Sequence, residues 1–275
     1  MGVLDGKVAV VTGSPRGLGK AIVKVFCQEG ASCVANSAFS AEVLNQTVDE
    51  IKAEGGKVTG VLADVRDPKD TDRLMAAAVD TFGKLDILVN NAAVIQAAFL
   101  HKMTDEQWDR SIDTELKGAF NCVRSAAKYM RQPGHNGRIV NISAMSILGQ
   151  FAGINYAAAK SGLIGLAYTV AWEFYPFGVT CNNIAFGEIE SRIQGVREEQ
   201  DEWIYGEKVG VPKEAKGPRD PSLPNRLMKP EEAARVVLFF AGPDSWPFTG
   251  QTVLCTHGMD FYLPVRQPEM DPAKW

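Results

Sequence analysis

Lys7-Val8-Ala9-Val10-Val11 runs directly into Thr12-Gly13-Ser14-Pro15-Arg16-Gly17-Leu18-Gly19 and, after Lys20, into Ala21-Ile22-Val23-Lys24-Val25-Phe26. The first segment is a short apolar run of strand type, and the last is apolar at helical spacing. Between them lie glycines in the order G-x-x-x-G-x-G, so the stretch reads as strand, glycine turn and helix. Such a turn lets backbone approach a pyrophosphate closely and aims the unpaired N–H groups of the helix N-terminus at the phosphates. It differs from the commoner G-x-G-x-x-G, and taken alone it could merely join a strand to a helix.

The rest of the chain repeats the alternation. Strand-like runs fall near Lys7–Thr12, Ala31–Asn36, Lys57–Ala63, Leu85–Asn90, Arg138–Ser143, Val179–Ala185 and Gln251–Thr256. Helical spacing appears near Gly17–Glu29, Ala41–Glu54, Pro68–Phe82, Thr104–Arg131, Tyr156–Tyr175 and Pro230–Ala241. The order predicts an α/β protein with a parallel, doubly wound sheet of about seven strands, helices on both faces, and ligands at the carboxyl ends of the strands. No internal repeat or linker divides the 275 residues, so a single domain is expected over 1–275. Residues 192–225, rich in charge, Pro and Gly, break the alternation.

Downstream, Tyr156 and Lys160 stand four apart in Asn155-Tyr156-Ala157-Ala158-Ala159-Lys160, and Ser143 closes an apolar strand thirteen residues before the tyrosine. On a helix, residues i and i+4 share a face, so the Lys160 ammonium can lie beside the Tyr156 hydroxyl and favour its phenolate. A phenol titrating near ~10 then becomes usable at neutral pH. Ser143 can reach the same spot from the sheet and hydrogen-bond a carbonyl oxygen. Without context a Tyr-x-x-x-Lys pair is a tyrosine packed over a solvated lysine stem. The glycine turn supplies the context.

Together these residues resemble the single-domain short-chain dehydrogenases/reductases, from roughly Leu4 to Phe261, with reductases of carrier-bound ketoacyl chains the nearest-looking members. Asp64-Val65 resembles the family's adenine-contacting Asp, and Asn90-Asn91-Ala92-Ala93 is close to its Asn-Asn-Ala-Gly, which supports the cofactor strand. Ile184-Ala185-Phe186-Gly187-Glu188-Ile189-Glu190-Ser191 resembles the segment that cradles the nicotinamide carboxamide, where the family usually reads Pro-Gly-x-Ile-x-Thr. The resemblance implies an oxidoreductase that moves a hydride between a nicotinamide cofactor and a carbonyl or secondary alcohol. Ser143 and Tyr156 would hold the oxygen, and Lys160 would also bind the nicotinamide ribose. Nucleotide contacts are expected from Gly13, Arg16, Gly17, Leu18, Gly19, Ser37, Asp64, Val65, Asn91, Tyr156, Lys160, Gly187, Ile189 and Ser191. Residues 192–225 correspond to the substrate lid, longer here than in compact members, with a solvated surface excursion as the alternative. A homotetramer is implied, paired through the helices around Thr104–Arg131 and Tyr156–Tyr175. The tail 263–275 runs past the family's usual end and either crosses a neighbouring subunit or frays.

Departures from the pattern refine the expectation. Where NAD-specific members place a carboxylate after the second strand, the chain has Ser37, and no carboxylate follows before Glu42. Arg16 can partner a 2′-phosphate, which favours NADP with NAD possible; it also suits NAD users by packing on adenine. Glu115 takes the place of the Asn that completes the family's catalytic set. A carboxylate there would meet Lys160 and oppose the lysine's pull on the Tyr156 proton, or turn away to another partner. Such changes leave open a lyase, isomerase or dehydratase on the same scaffold, or a dinucleotide-binding protein without turnover. Gln150, Phe151, Phe186, Trp203 and Tyr205 border the reacting centre by the resemblance and suit an apolar or aromatic-bearing substrate, though the aromatics would equally serve core packing. Phe177 stands where the family places a carrier-contacting Arg, which argues against carrier-bound acyl chains.

Composition bounds the rest. Lys and Arg total 29 against 33 Asp and Glu, for a net charge of −4, with no basic stripe for nucleic acid or an anionic membrane. Five scattered cysteines read as reduced core residues, and with three distant histidines they predict no metal site. No secretory signal opens the chain and no apolar run could span a bilayer, so a cytoplasmic protein is expected.

Overall fold

The computed structural model describes residues 2–150, 152–190 and 227–256. Seven parallel strands form one sheet: β1 (Val8–Val11), β2 (Ser32–Ser37), β3 (Lys57–Leu62), β4 (Ile87–Asn90), β5 (Arg138–Ala144), β6 (Thr180–Phe186) and β7 (Thr252–Cys255). Their order is β3-β2-β1-β4-β5-β6-β7. The chain therefore winds outward from β1 in one direction, returns to β4, and winds outward in the other. Central strands such as β1, β4 and β6 are buried throughout, which is why they read as unbroken apolar runs instead of alternating ones.

Helices α1 (Gly17–Gln28), α2 (Ala41–Ala53) and α7 (Pro230–Ala241) cover one face, packing Ile22, Phe26, Leu44 and Val237 against Ala9, Val11 and Val89. Helices α3 (Pro68–Phe82), α5 (Gly118–Met130) and α6 (Ile154–Phe174) cover the other, with Leu74, Cys122, Ala126 and Val170 over Val10, Leu88 and Ile139. Local chemistry sets the helix starts. The Ser40 hydroxyl accepts from Val43 N at 3.2 Å, and Asp67 accepts from Lys69 N at 2.8 Å ahead of Pro68.

The helical run expected over Thr104–Arg131 differs in detail. It comprises α4 (Asp105–Ser111), a wider π turn over Ile112–Lys117, and α5. Thr104 and Gln107 cap α4 reciprocally. A π turn inserts a local bulge and leaves the apolar periodicity on either side almost intact, so spacing alone reads the run as continuous.

One polar feature crosses the apolar sheet. Asn90, Asn141, Asn183 and Thr252 are register partners on four neighbouring strands. Their side chains join in a row: Asn90 Nδ2 donates to Asn141 Oδ1 at 2.8 Å, Asn141 Nδ2 to Asn183 Oδ1 at 2.9 Å, and Asn183 Nδ2 to Thr252 Oγ1 at 3.0 Å.

Candidate active site

Where β1 and β4 diverge, the carboxyl ends of the strands open into a cleft of about 590 Å³. This is the switch point of the doubly wound sheet, where such folds bind ligands. Gly13, Arg16, Gly17, Leu18, Gly19, Ser37, Asp64, Val65, Asn91, Gly187 and Ile189 line it, together with Ser143, Gln150, Tyr156, Lys160 and Phe186. Phe151, Ser191, Trp203, Tyr205, the segment 192–225 and the tail 263–275 lie outside the described residues.

The nucleotide wall is built from close backbone approaches. A Cβ on Gly19 would lie 2.5 Å from Gly13 O and 2.6 Å from Asn91 Nδ2, so only glycine lets α1 start this near β1. Gly17 sits at φ +56 with open space where a side chain would project. Asn91 fastens the turn to the end of β4: its Nδ2 donates to Thr12 O at 3.0 Å and Gly13 O at 2.9 Å, and its backbone N donates to Thr12 Oγ1 at 2.9 Å. Asn36, which sequence reading treated only as a strand end, is a second fastener. Its Oδ1 accepts from Gly13 N at 3.2 Å and its Nδ2 donates to Ala63 O at 2.8 Å. The residues present thus fit the phosphates of a dinucleotide, with the N-terminus of α1 facing the cleft.

At the far rim Arg66 Nε lies 3.0 Å from each Asp64 carboxylate oxygen, orienting that carboxylate and holding it below its usual range. Ser37 Oγ accepts from Phe39 N at 3.3 Å and Ser40 N at 3.4 Å, with no carboxylate at the end of β2. Arg16 is exposed and makes no ion pair among the described residues. Phe39, also exposed at this rim, lies under the Arg110 guanidinium at 5.6 Å. Nothing in the spacing of the sequence marks Phe39.

The opposite wall joins the end of β5 to the first turns of α6. Asn155 anchors the helix start by donating from Nδ2 to Gln96 O and Gln107 O, both at 2.9 Å. Tyr156 follows, half-buried, and Lys160 one turn later is only 2% exposed. Lys160 Nζ donates to Ile142 O at 2.8 Å and lies 5.3 Å from the centroid of the Tyr156 ring. Ser143 Oγ donates to Lys160 O at 3.4 Å. One residue of the expected set does not line the cleft. Glu115, in the π turn, stands behind Lys160 with Oε2 3.2 Å from Nζ and Oε1 accepting from Val94 N at 3.4 Å. Burial pushes its carboxyl up to about 7, against the opposing pull of the Lys160 ammonium.

Among the described residues, no three His, Cys, Asp or Glu side chains gather as a metal site requires. No described helix is long and apolar enough to cross a membrane.

Glycine turn, Ser-Tyr-Lys wall and parallel sheet together define a nucleotide-dependent oxidoreductase of the Rossmann type. The chain belongs to the short-chain dehydrogenases, a family it matches over residues 7–202. It is 36% identical over 252 residues to the 3-oxoacyl-[acyl-carrier-protein] reductase FabG of Thermotoga maritima, covering 91% of this chain and 96% of that protein. It is 34% identical over 259 residues to the (2S)-[(R)-hydroxy(phenyl)methyl]succinyl-CoA dehydrogenase subunit BbsD of Thauera aromatica, covering 94% and 98%. Among solved structures, a short chain dehydrogenase from Burkholderia cenocepacia in complex with NADP superimposes with a TM-score of 0.78 at 26% identity, covering 94% of this chain and 99% of that one. The protein is an NAD(P)-dependent oxidoreductase of this family.

Proposed function

We propose that the protein interconverts an apolar or aromatic-bearing carbonyl compound and its secondary alcohol, with NADP(H) the preferred nucleotide and NAD(H) usable. The observation that carries this reading is the convergence of Ser143, Tyr156 and Lys160 on one wall of the cleft. Gly13, Gly17, Leu18 and Gly19 would hold the phosphates, Asp64 and Val65 the adenine, and Gly187 and Ile189 the nicotinamide end. The bound nucleotide supplies or takes the hydride.

The chain's own residues handle the oxygen and the proton. Ser143 and Tyr156 hydrogen-bond the carbonyl oxygen, and Tyr156 gives its hydroxyl proton to the developing alkoxide. Lys160, steadied by the Ile142 carbonyl, favours the resulting phenolate. Oxidation runs each step backwards.

The preference for NADP is supported by Ser37 in place of a carboxylate and by Arg16, which lines the same cleft and makes no ion pair among the described residues. An apolar substrate is supported by Phe186, Val94, Ile95 and Met145 around the cleft and by the phenyl-bearing substrate named for the Thauera relative. A homotetramer is supported by the end of α6 and the turn that follows it, which leave Trp172 81% and Tyr175 75% exposed. We further read residues 1–275 as one cytoplasmic domain with 192–225 as its substrate lid.

The test is net oxidation or reduction of free nicotinamide nucleotide, followed by absorbance, across a panel of ketones and alcohols. Bulky aromatic ketones are expected to outrun small hydrophilic keto acids, and the opposite order would refute the substrate class. No net nucleotide turnover with any substrate would favour a lyase, isomerase or dehydratase instead. Light scattering that reports a monomer would remove the tetramer.

A further inference from the structure

Behind Lys160 lies a second, much smaller cavity of about 10 Å³, enough for roughly one water molecule. Thr12, Asn90, Glu115, Ala119 and Cys122 line it, and Thr114 borders both this cavity and the cleft. Two buried atoms on its lining residues, Asn90 Oδ1 and Glu115 Oε2, have no hydrogen-bond partner among the described residues. Lys160 Nζ is 3.2 Å from that Oε2 in a buried ion pair.

The amide row fixes what the cavity meets. Asn183 Nδ2 donates to Leu163 O at 3.1 Å, and a carbonyl can only accept, so the Asn183 amide has one permitted orientation. Its Oδ1 therefore faces Asn141 Nδ2, which leaves Asn141 Oδ1 to accept from Asn90 Nδ2. Asn90 Oδ1 is what remains. With Glu115 ionised, two acceptors beside one water-sized space call for a double donor; with Glu115 protonated, its O–H needs an acceptor, and water serves in both forms.

We propose that Glu115 is a positioning residue that stores a proton for Tyr156 and passes it through Lys160, refilling from a single water held between Glu115 Oε2 and Asn90 Oδ1. The proposal rests on the reductase reading above. After Tyr156 protonates the alkoxide, the phenolate takes a proton from the Lys160 ammonium, and the neutral amine takes the proton of the Glu115 carboxylic acid. The carboxylate then takes one from the water, which solvent in the cleft reprotonates past Thr114. One proton leaves solvent for each one given to alkoxide, and oxidation reverses the flow.

Among the described residues, the surroundings hold other charges away from this carboxyl. Lys160 of α6 is the charged group that faces it. From α5 comes Cys122, whose thiol burial pushes up to about 12, leaving it neutral. The strand ends contribute Val65, Asn90, Ala92 and Val94, none of which titrates. On the π turn itself Asp113 and Lys117 point outward and pair at 3.1 Å. A carboxyl pushed up to about 7 holds both protonation forms in reach near neutrality.

Three measurements test this. The reductive kcat of the wild type should fall as pH rises through about 7, and Glu115→Gln should lose that break. At pH 6, below that value, kcat of Glu115→Gln should fall by about tenfold or more with KM within about twofold, and Glu115→Asp should recover part of the loss. Superimposable pH profiles for wild type and Glu115→Gln would overturn the proposal. Infrared difference spectra of the enzyme between pH 6 and pH 8 should show a protonated carboxyl band that Glu115→Gln removes, and its absence from the wild type would overturn it too. That readout needs no substrate, so it stands apart from any failure of the reductase reading. A crystal structure should show water between Asn90 Oδ1 and Glu115 Oε2; a dry cavity there would overturn the refilling route.

Discussion

The two ends of the same sheet treat buried charge in opposite ways. At the amino end Asp86 accepts from Val8 N at 2.8 Å and pairs with Lys84 at 3.0 Å and Lys7 at 3.7 Å. Arg138 there donates to Gly242 O at 3.2 Å, Asn136 O at 3.0 Å and Gly137 O at 2.9 Å. Asp86 is matched by two lysines, Arg138 is held by three backbone carbonyls, and both tie loops to strands. At the carboxyl end Lys160 and Glu115 are just as buried, at 2% and 3% exposure, yet Glu115 Oε2 and the neighbouring Asn90 Oδ1 keep acceptor capacity in hand. Asp86 and Arg138 hold structure, whereas the Glu115 carboxyl, pushed up to about 7 by burial, can change its protonation state near neutrality.

The largest effect that would break this contrast belongs to the tyrosine. Tyr156→Phe should lower kcat by about a hundredfold or more and leave nucleotide affinity near the wild-type value, since the ring remains and the proton does not. A variant retaining above about a tenth of wild-type turnover would remove Tyr156 from the proton step.

Next comes the other end of the sheet. Arg138→Met should cost about 2 kcal/mol of stability, because three carbonyls lose their donor, while kcat per folded molecule is unchanged. Thermal unfolding and turnover measured on one preparation decide it. Loss of turnover without loss of stability would show that the ends are not divided as argued.

Ser37→Asp sharpens the comparison within the cleft. Its carboxylate would repel a 2′-phosphate and accept from a 2′-hydroxyl, shifting preference from NADPH toward NADH by about tenfold, a difference of ~1.4 kcal/mol. Calorimetry that finds NADH bound as tightly as NADPH by the wild type contradicts the expected starting preference.

A further effect is on stability against pH. Glu115 has a folded value of about 7 against an ordinary 4.5, so between these values the folded protein binds more proton than the unfolded chain. The resulting stabilisation is complete below about pH 4.5 and lost as pH rises through about 7. Wild type should accordingly lose stability relative to Glu115→Gln over that window, as urea midpoints at pH 5 and pH 8 would reveal. Parallel curves would place the Glu115 carboxyl in its ordinary range.

The fold was legible because its strands are buried on both faces, and runs such as Val8–Val11 and Ile139–Ile142 declare that without any knowledge of their neighbours. Ser143, Tyr156 and Lys160 were legible because two of them share a helix face at spacing four and the third closes a strand. The rest depends on register and on close approach between distant segments. Asn90 reads as the end of an apolar run and Asn141 and Asn183 as polar interruptions within theirs, and only strand alignment makes them a row. Asn36 and Phe39 reach the cleft through a loop whose geometry no periodicity encodes. The π turn at Ile112–Lys117 was hidden because the apolar spacing of the flanking helices passes through it almost unaltered.

The row of amides also acts as an alignment key. Side chains alternate faces along a strand, so a slip of one residue by any of β4 to β7 would carry its key residue to the opposite face and strand buried amide groups on its neighbours. Hydrophobic contacts alone would tolerate that slip, because apolar residues occupy both faces of these strands. Misaligned assembly is therefore penalised at four strands together, and a strand grafted from a relative would have to bring a matching amide with it.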